Sequence, residues 1–386
     1  MKVVLVTRLF APEVAAAAFR LRALADGLAD AGHQVVVLTT RPPKNAVADM
    51  AADYGVRRWP VLRDAGGTVR GYVQYASYDL PLLVRLMFRS ADAVVSEPPP
   101  TTGLVTAAVC CMRRTPFFYY AADIWSDALA ATETPKSIIT VMRAIERFVL
   151  GRARGVIAVS DGVAERVAEL GSPRQRIEVV PNGVDTSVFH PTEPVHVTGG
   201  RYFSYTGTMS EWQGADVFIR ALQIVLKTHP DVRLKFFGQG SAEPELRRLA
   251  ERLTPHNVDF GGVVPPTEAA GWLSGAIGAL VSIVPGQGYD FAKPTKIYAA
   301  AACGTPVLFA GVGDSAALVQ NQRLGLVAEY SPEDVARQLL AMLENDQVEG
   351  QHLVDWVKNN ASLATTGRLA AQWISAEMGA HTPMVR

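Results

Sequence analysis

The sequence predicts an α/β protein of two parallel-sheet domains, and three observations carry that reading. A continuous apolar run from Val3 to Thr7 leads into helical periodicity from Ala16 to Ala31, closed by Gly32, and then a second apolar run from Gln34 to Thr39; this is the βαβ opening of a parallel sheet. The same order returns about 200 residues later, with a strand from Tyr202 to Thr206, a helix from Gly214 to Thr228 closed by His229-Pro230, and a strand from Val232 to Phe237. With 386 residues the chain accommodates two domains of roughly 100–200 residues, each with a core of its own, and two cores imply a cleft between them.

The remaining elements follow in order. In the first half, strands are expected around Ala93 to Ser96, Phe117 to Ala121 and Val156 to Val159, with a helix from Ser137 to Arg152 before the last. Pro191 to Gly200 collects proline, threonine and glycine without apolar periodicity, which suits a hinge. The second half adds a strand from Ala279 to Ile283, a helix from Thr295 to Cys303 stopped by Gly304, a strand from Val307 to Ala310, and helices from Pro332 to Glu344 and Thr366 to Met378. The expected division is 1–195 and 196–365, with 366–386 a C-terminal helix able to pack back on the first domain.

Composition narrows the function. Lysine plus arginine and aspartate plus glutamate both number 37, so no net field draws the chain to nucleic acid. Hydrophobic residues are 49% and charged residues 19%, which disfavours long disorder. Cys110, Cys111 and Cys303 have neither disulfide-framework nor zinc-ligand spacing, and fit a reducing compartment. The opening apolar run is too short before Arg8 and Pro12 for a signal peptide, and no apolar stretch approaches the roughly 18 residues of a membrane span. A cytoplasmic protein, soluble or peripheral at the inner face of the membrane, is expected.

The loop after the first strand, Thr7 to Glu13, lacks the G-x-G-x-x-G that lets backbone approach a pyrophosphate, which disfavours a nicotinamide or flavin enzyme. Gly238-Gln239-Gly240 also follows a strand and reads either as a ligand loop at a strand's carboxyl end or as an ordinary tight turn. H-E-x-x-H, G-x-S-x-G and Walker patterns do not occur, and the seven histidines sit beside turns or helix ends. In Lys293-Pro294-Thr295-Lys296-Ile297-Tyr298, a lysine beside a helix start makes an anion site, against the alternative of a solvated first turn. Asp123, just after the strand that ends at Ala121, reads equally as a group for a sugar hydroxyl or proton and as the cap of the next helix.

Taken together, Phe10-Ala11-Pro12-Glu13, Arg20-Leu21, Val179-Val180-Pro181-Asn182-Gly183-Val184-Asp185, Tyr205-Thr206-Gly207-Thr208, Phe237-Gly238-Gln239-Gly240 and Ala302-Cys303-Gly304-Thr305-Pro306 resemble the family 4 glycosyltransferases. These are retaining enzymes with two Rossmann-like domains facing across a cleft, the GT-B fold, and the nearest look is to transferases of bacterial surface polysaccharides. The resemblance implies a hexosyl transfer from a nucleotide diphosphate sugar to a glycan, a lipid-linked sugar or a small molecule, with no cofactor or metal. The donor would lie on the second domain and the acceptor on the first, and the leaving phosphate would itself take the acceptor proton. It places Lys296 on the donor diphosphate, with Lys293 and Arg8 as further cations, Gly207 and Thr208 approaching it by backbone, Gly238 with Gln239 near the nucleoside, and Glu13 and Asp123 on the acceptor side.

The departures are specific. The family's two glutamates, seven residues apart, for donor sugar and ribose fall at Phe291 and Ala299, and its usual arginine and lysine fall at Thr208 and Gln213. Thr295 or Tyr298 is the candidate replacement for the ribose-binding carboxylate. Two other readings therefore stand beside the transferase: a catalytically degenerate sugar-nucleotide-binding auxiliary subunit, and a nucleotide-sugar 2-epimerase using Asp123 and Asp127. Pro81 to Arg89, apolar bulk mixed with arginines, is the candidate for membrane contact.

Overall fold

The computed structural model describes residues 1–379 except 14, 44–51, 65–66, 70, 131–133, 194–200 and 345–348. The chain divides into two compact units, Met1–Asn182 with Leu363–Arg386, and Gly183–Ser362.

The strands of the first unit are β1 (Lys2–Val6), β2 (Gln34–Thr40), β3 (Gly55–Trp59), β4 (Ala93–Ser96), β5 (Phe117–Ala121), β6 (Gly155–Ala158) and β7 (Ile177–Val179). They form one parallel sheet in the order β3-β2-β1-β4-β5-β6-β7. The central strands are buried on both faces, which is why they read as unbroken apolar runs rather than as alternation. Strand β3 escapes sequence reading because it is an edge strand, with Arg57 and Arg58 at its centre and alternating exposure.

The second unit repeats the plan with β8 (Tyr202–Thr206), β9 (Arg233–Phe237), β10 (Val258–Gly262), β11 (Gly278–Ser282), β12 (Val307–Ala310) and β13 (Gly325–Ala328), all parallel, in the order β10-β9-β8-β11-β12-β13. In each sheet the order reverses beside the first strand, between β1 and β4 and between β8 and β11. A ligand site in a doubly wound sheet lies at the carboxyl ends of strands at such a reversal.

The expected boundaries at 195 and 365 move to Asn182–Gly183 and Ser362–Leu363. Most of the expected hinge, 194–200, lies outside the described residues. The chain instead enters the second unit within the Val-Pro-Asn-Gly-Val-Asp run, where the Val184 amide donates to the Ala361 carbonyl at 2.8 Å and Val184 pairs with Ser362. Loss of apolar periodicity marks a loop, but contacts decide where one core stops.

The last helix, Leu363–Gly379, belongs to the first unit and packs on the helix Ala16–Asp30. The two backbones meet at glycines: a Cβ on Gly27 would sit 2.7 Å from the Gly367 carbonyl oxygen, and one on Gly367 would sit 2.1 Å from that of Ala23. Trp373 then lies edge-on to Phe118 at 5.9 Å, which fixes the helix over the sheet.

Candidate functional site

In the second unit, the loops leaving β8, β9 and β10 and the amino end of the helix Thr295–Ala302 enclose a pocket of about 560 Å³. Gly207, Thr208, Gly238, Thr295 and Lys296 all line it, so five of the expected donor residues converge. Lys296 is the one charged side chain among the described lining residues; Trp212, Phe237, Val263, Val264 and Ala299 make much of the rest apolar.

The loops are held close by their own backbone. The Gly207 amide donates to the Phe237 carbonyl at 2.8 Å, Gly238 to Gly262 at 2.7 Å, and Met209 to Gln239 at 3.1 Å. Gly238 has φ 125°, and a Cβ there would lie 1.9 Å from the Gly207 carbonyl oxygen. The first glycine of the G-x-G is thus required by loop-to-loop contact, and its place in the pocket wall is a consequence of that contact. Gln239 does not line this pocket; it faces a shallower depression beside Gly240, Glu243 and Arg247.

Lys296 projects from the first turn of its helix so that Nζ lies 3.8 Å from the centroid of the Tyr205 ring and 3.4 Å from the Thr208 carbonyl oxygen. Tyr205 is itself anchored, its hydroxyl donating to the Thr208 carbonyl at 2.8 Å. The aromatic face and the carbonyl attract the ammonium, yet burial pushes its pKa down to about 7. A cation so placed, beside the positive end of a helix dipole, is suited to an anionic ligand.

Tyr298, expected as a possible ribose partner, is removed from the candidates. It is 2% exposed, points into the core and stacks on Trp356 with ring centroids 6.2 Å apart. It lies two residues beyond Lys296, so the helix turn that aims the lysine at the pocket turns the tyrosine to the opposite face. Thr295 is exposed at the rim, Ala299 forms wall at 8% exposure, and Phe291 is 45% exposed outside the lining. Lys293 sits 3.8 Å from Asp314 rather than in the pocket wall.

The first unit holds the other expected residues, in a different setting. Arg8 is 8% exposed, lies 4.0 Å over the Tyr75 ring and donates to the Val69 carbonyl at 3.1 Å, so it is committed inside its own unit. Glu13 accepts two bonds from Arg63, at 2.9 and 3.0 Å. Arg63 carried no motif and was invisible in the sequence. Beside them, Glu97 accepts from Thr7 at 2.6 Å and from Arg20 at 3.1 Å, and Arg20 also donates to Asn182 at 3.1 Å. Arg20 and Asn182 were legible as motif residues, but their direct bond and the Glu97 that ties Arg20 to Thr7 were not.

Asp123 is exposed at the carboxyl end of β5. The helix Trp125–Ala130 that it was expected to cap is served by Glu146, which accepts from the amides of Trp125 at 2.6 Å and Ser126 at 3.0 Å. Burial raises the Glu146 pKa. With a buried carboxylate performing the capping, Asp123 keeps its own carboxylate on the surface. Asp127 is held by Arg166 at 2.5 and 2.9 Å, which takes away the second acid of the epimerase reading. Among the described residues, no group of three or more His, Cys, Asp or Glu is arranged to hold a metal ion.

Two doubly wound units, one with a pocket at its reversal point whose described lining carries one cation, are the two Rossmann-like units of the GT-B fold. Residues 17–188 match the model of Glycosyltransferase Family 4 and residues 200–345 that of Glycosyl transferases group 1. Each half of the chain thus matches a glycosyltransferase domain, the two together spanning 17–188 and 200–345. The Anabaena HepE structure solved with UDP and glucose shares the fold, with a TM-score of 0.70 at 18% identity over 97% of this chain and 100% of that one. A D-inositol 3-phosphate glycosyltransferase of Acidothermus cellulolyticus is 31% identical over 47% of this chain and 45% of its own length. A GDP-mannose-dependent monoacylated alpha-(1-6)-phosphatidylinositol monomannoside mannosyltransferase of Corynebacterium glutamicum is 30% identical over 52% and 54%. The chain thus spans about half the length of the curated relatives it matches.

Proposed function

We propose that this chain transfers a glycosyl group from a nucleoside-diphosphate sugar to a hydroxyl of a glycan, a lipid-linked sugar or a small molecule, with retention at the anomeric carbon. The observation that carries the reading is Lys296, an ammonium without a carboxylate partner, set at a helix amino end in a pocket of otherwise uncharged lining. The donor diphosphate lies against Lys296 and the Gly207–Thr208 backbone, with the nucleoside along the apolar wall by Gly238. Lys296 stabilises the charge that develops on the departing phosphate, and that phosphate takes the acceptor proton, so no enzymic base is needed. Asp123 orients the acceptor hydroxyl. Turnover of a nucleotide sugar by the purified chain, read as released nucleoside diphosphate and glycosylated acceptor, tests the reading. Asp123→Asn should lower turnover while leaving diphosphate affinity within about twofold, because a neutral amide still bonds the hydroxyl but less strongly.

One observation favours a second reading, a sugar-nucleotide-binding auxiliary subunit: among the described residues no carboxylate lines the pocket, and Phe291 and Ala299 stand where the resemblance expects glutamates. A chain that binds donor tightly and releases no nucleotide, alone or with acceptor, decides for the auxiliary role.

The acceptor side is proposed to work at the inner face of a membrane. On the helix Tyr72–Met87 and just beyond it, Leu80, Val84 and Phe88 are 69%, 54% and 86% exposed and recur every four residues, flanked by Arg85 and Arg89. That pairing of apolar stripe and cations suits the headgroup region of an anionic bilayer. Among the described residues no helix is long and apolar enough to cross one. Flotation with anionic liposomes should carry the protein upward, and Leu80→Ser with Phe88→Ser should leave it at the bottom.

A further inference from the structure

A second pocket, of about 590 Å³, lies at the opposite edge of the first sheet, where β5 and β6 begin. Arg114, Arg152, Arg154 and Arg176 line it, against one carboxylate, Glu377. Five arginines elsewhere, Arg166, Arg201, Arg220, Arg233 and Arg247, reach carboxylates at 2.5 to 3.0 Å, while Arg8 and Arg85 each donate to a backbone carbonyl and lie over an aromatic ring. Among the described residues, none of these four arginines has a recorded ion pair.

Two of them are held by neutral groups. Arg152 donates toward the Cys111 sulfur at 3.8 Å and lies 5.5 Å over the Phe148 ring. Arg154 donates through one terminal nitrogen to the Glu377 backbone carbonyl, while its Nε is buried without a partner. Arg114 ends its helix at φ 55°, which turns the chain sharply into the pocket wall.

The simplest competing account is that the arginines complement helix dipoles, since the helices Pro100–Arg113 and Lys136–Arg152 both end here. The hydrogen bonds are against that account as a full one. Three of the carbonyls in the final turns are satisfied by backbone: Thr115 donates to Cys110 at 2.9 Å, Arg114 to Cys111 at 3.3 Å and Ala153 to Val149 at 3.0 Å. The guanidinium groups are left facing the pocket, and partial dipole charges do not neutralise four full ones.

We infer that this pocket binds a phosphoryl anion bearing at least two negative charges, at a site separate from the donor pocket. Planar guanidinium forks match phosphate oxygens in pairs, and several of them around one cavity favour a diphosphate over a monocarboxylate. The same chemistry is offered by a free polyphosphorylated molecule and by the headgroups of an anionic lipid.

The test uses the full chain carrying Lys296→Ala, so that the donor pocket does not contribute, and titrates it with inorganic pyrophosphate by calorimetry. The comparison is the same chain with Arg114→Gln, Arg152→Gln and Arg176→Gln, three exposed positions whose replacement leaves the core intact. Binding weakened about tenfold or more in the triple variant, with an unchanged circular dichroism spectrum, supports the site and a free ligand. A second arm measures sedimentation with vesicles of phosphatidylglycerol in phosphatidylcholine and of phosphatidylcholine alone. Loss of retention confined to the anionic vesicles supports the site with a lipid headgroup as its source. A triple variant that matches its parent with both probes overturns the inference, as does a parent that binds neither.

Discussion

The carboxyl edges of the two sheets are built from the same topology and each holds a cation on an aromatic ring and a carbonyl oxygen, Arg8 in the first and Lys296 in the second, but they differ in their carboxylates. In the first unit, Glu97 is shared by Thr7 and Arg20, Glu13 is clasped by Arg63, and Arg8 lies on Tyr75. In the second unit, Lys296 meets only an aromatic face and a carbonyl oxygen, and uncharged groups line the rest of its pocket. Buried pairs fix loop geometry without leaving charge for a ligand, whereas an uncompensated cation costs stability when empty and becomes favourable when an anion arrives. The first edge is therefore shaped in advance by its ion pairs, and the second, on the proposed function, would be completed by an anion.

The largest expected effect breaks the first edge. Glu97→Ala removes the carboxylate acceptor of Arg20, whose side chain is 9% exposed, and leaves a buried guanidinium with the neutral Asn182 and the Tyr120 ring; a loss of about 3–5 kcal/mol in urea unfolding is expected. Removing the cation of the second edge should behave in the opposite sense for stability. Lys296→Ala should leave unfolding unchanged or slightly more costly, while diphosphate affinity falls by about 1.5–3 kcal/mol and nucleoside affinity hardly changes. Calorimetric titration with both ligands checks this, and equal losses would place Lys296 away from the phosphates.

The contrast sharpens with pH. The pKa of Lys296 is lowered to about 7 by burial, so the empty pocket loses its charge as pH rises through that value. A bound diphosphate favours the ammonium and raises that pKa, so binding above pH 7 takes up a proton and affinity falls with rising pH, by up to about tenfold per unit. The Tyr205 hydroxyl beneath it does not contribute, because burial pushes its pKa upward, out of the range. Titrations between pH 7 and 9 should show the slope in the native chain and none in Lys296→Arg, since a guanidinium stays charged throughout.

The smallest effect concerns the pentose. Ala299 imposes no carboxylate that must find a ribose hydroxyl, and Tyr298 is buried away from the pocket, so the polar side chains left among the described lining residues besides Lys296 are the uncharged Thr206, Thr208, Gln213 and Thr295 with the Trp212 indole. An unpaired buried acceptor costs about 1–3 kcal/mol; without one, uridine and deoxyuridine diphosphates should compete within about tenfold of each other, or 1.4 kcal/mol. A stronger preference for the ribonucleotide would assign the ribose to one of these polar side chains, and Thr295→Val tests the one next to Lys296.

The amino-acid sequence by itself determined both parallel sheets, because their central strands are buried on two faces and must be apolar throughout. It also determined Lys296 at a helix start and the glycines of the β8 and β9 loops, since helix starts and close backbone approach each admit few residue types. It missed the edge strands, whose half-exposed residues carry no such signal, and put the first domain's end at a loop rather than at the bridged passage of Val184 and Ser362. Only the tertiary structure decided which charges are already spent. Arg63 on Glu13, Arg20 on Glu97 and Glu146 on the helix amides beside Asp123 pair residues far apart in the chain, and the four arginines at the start of β5 and β6 are left without such partners. Pairing falls off over a few ångströms of space, and distance along the chain does not report it.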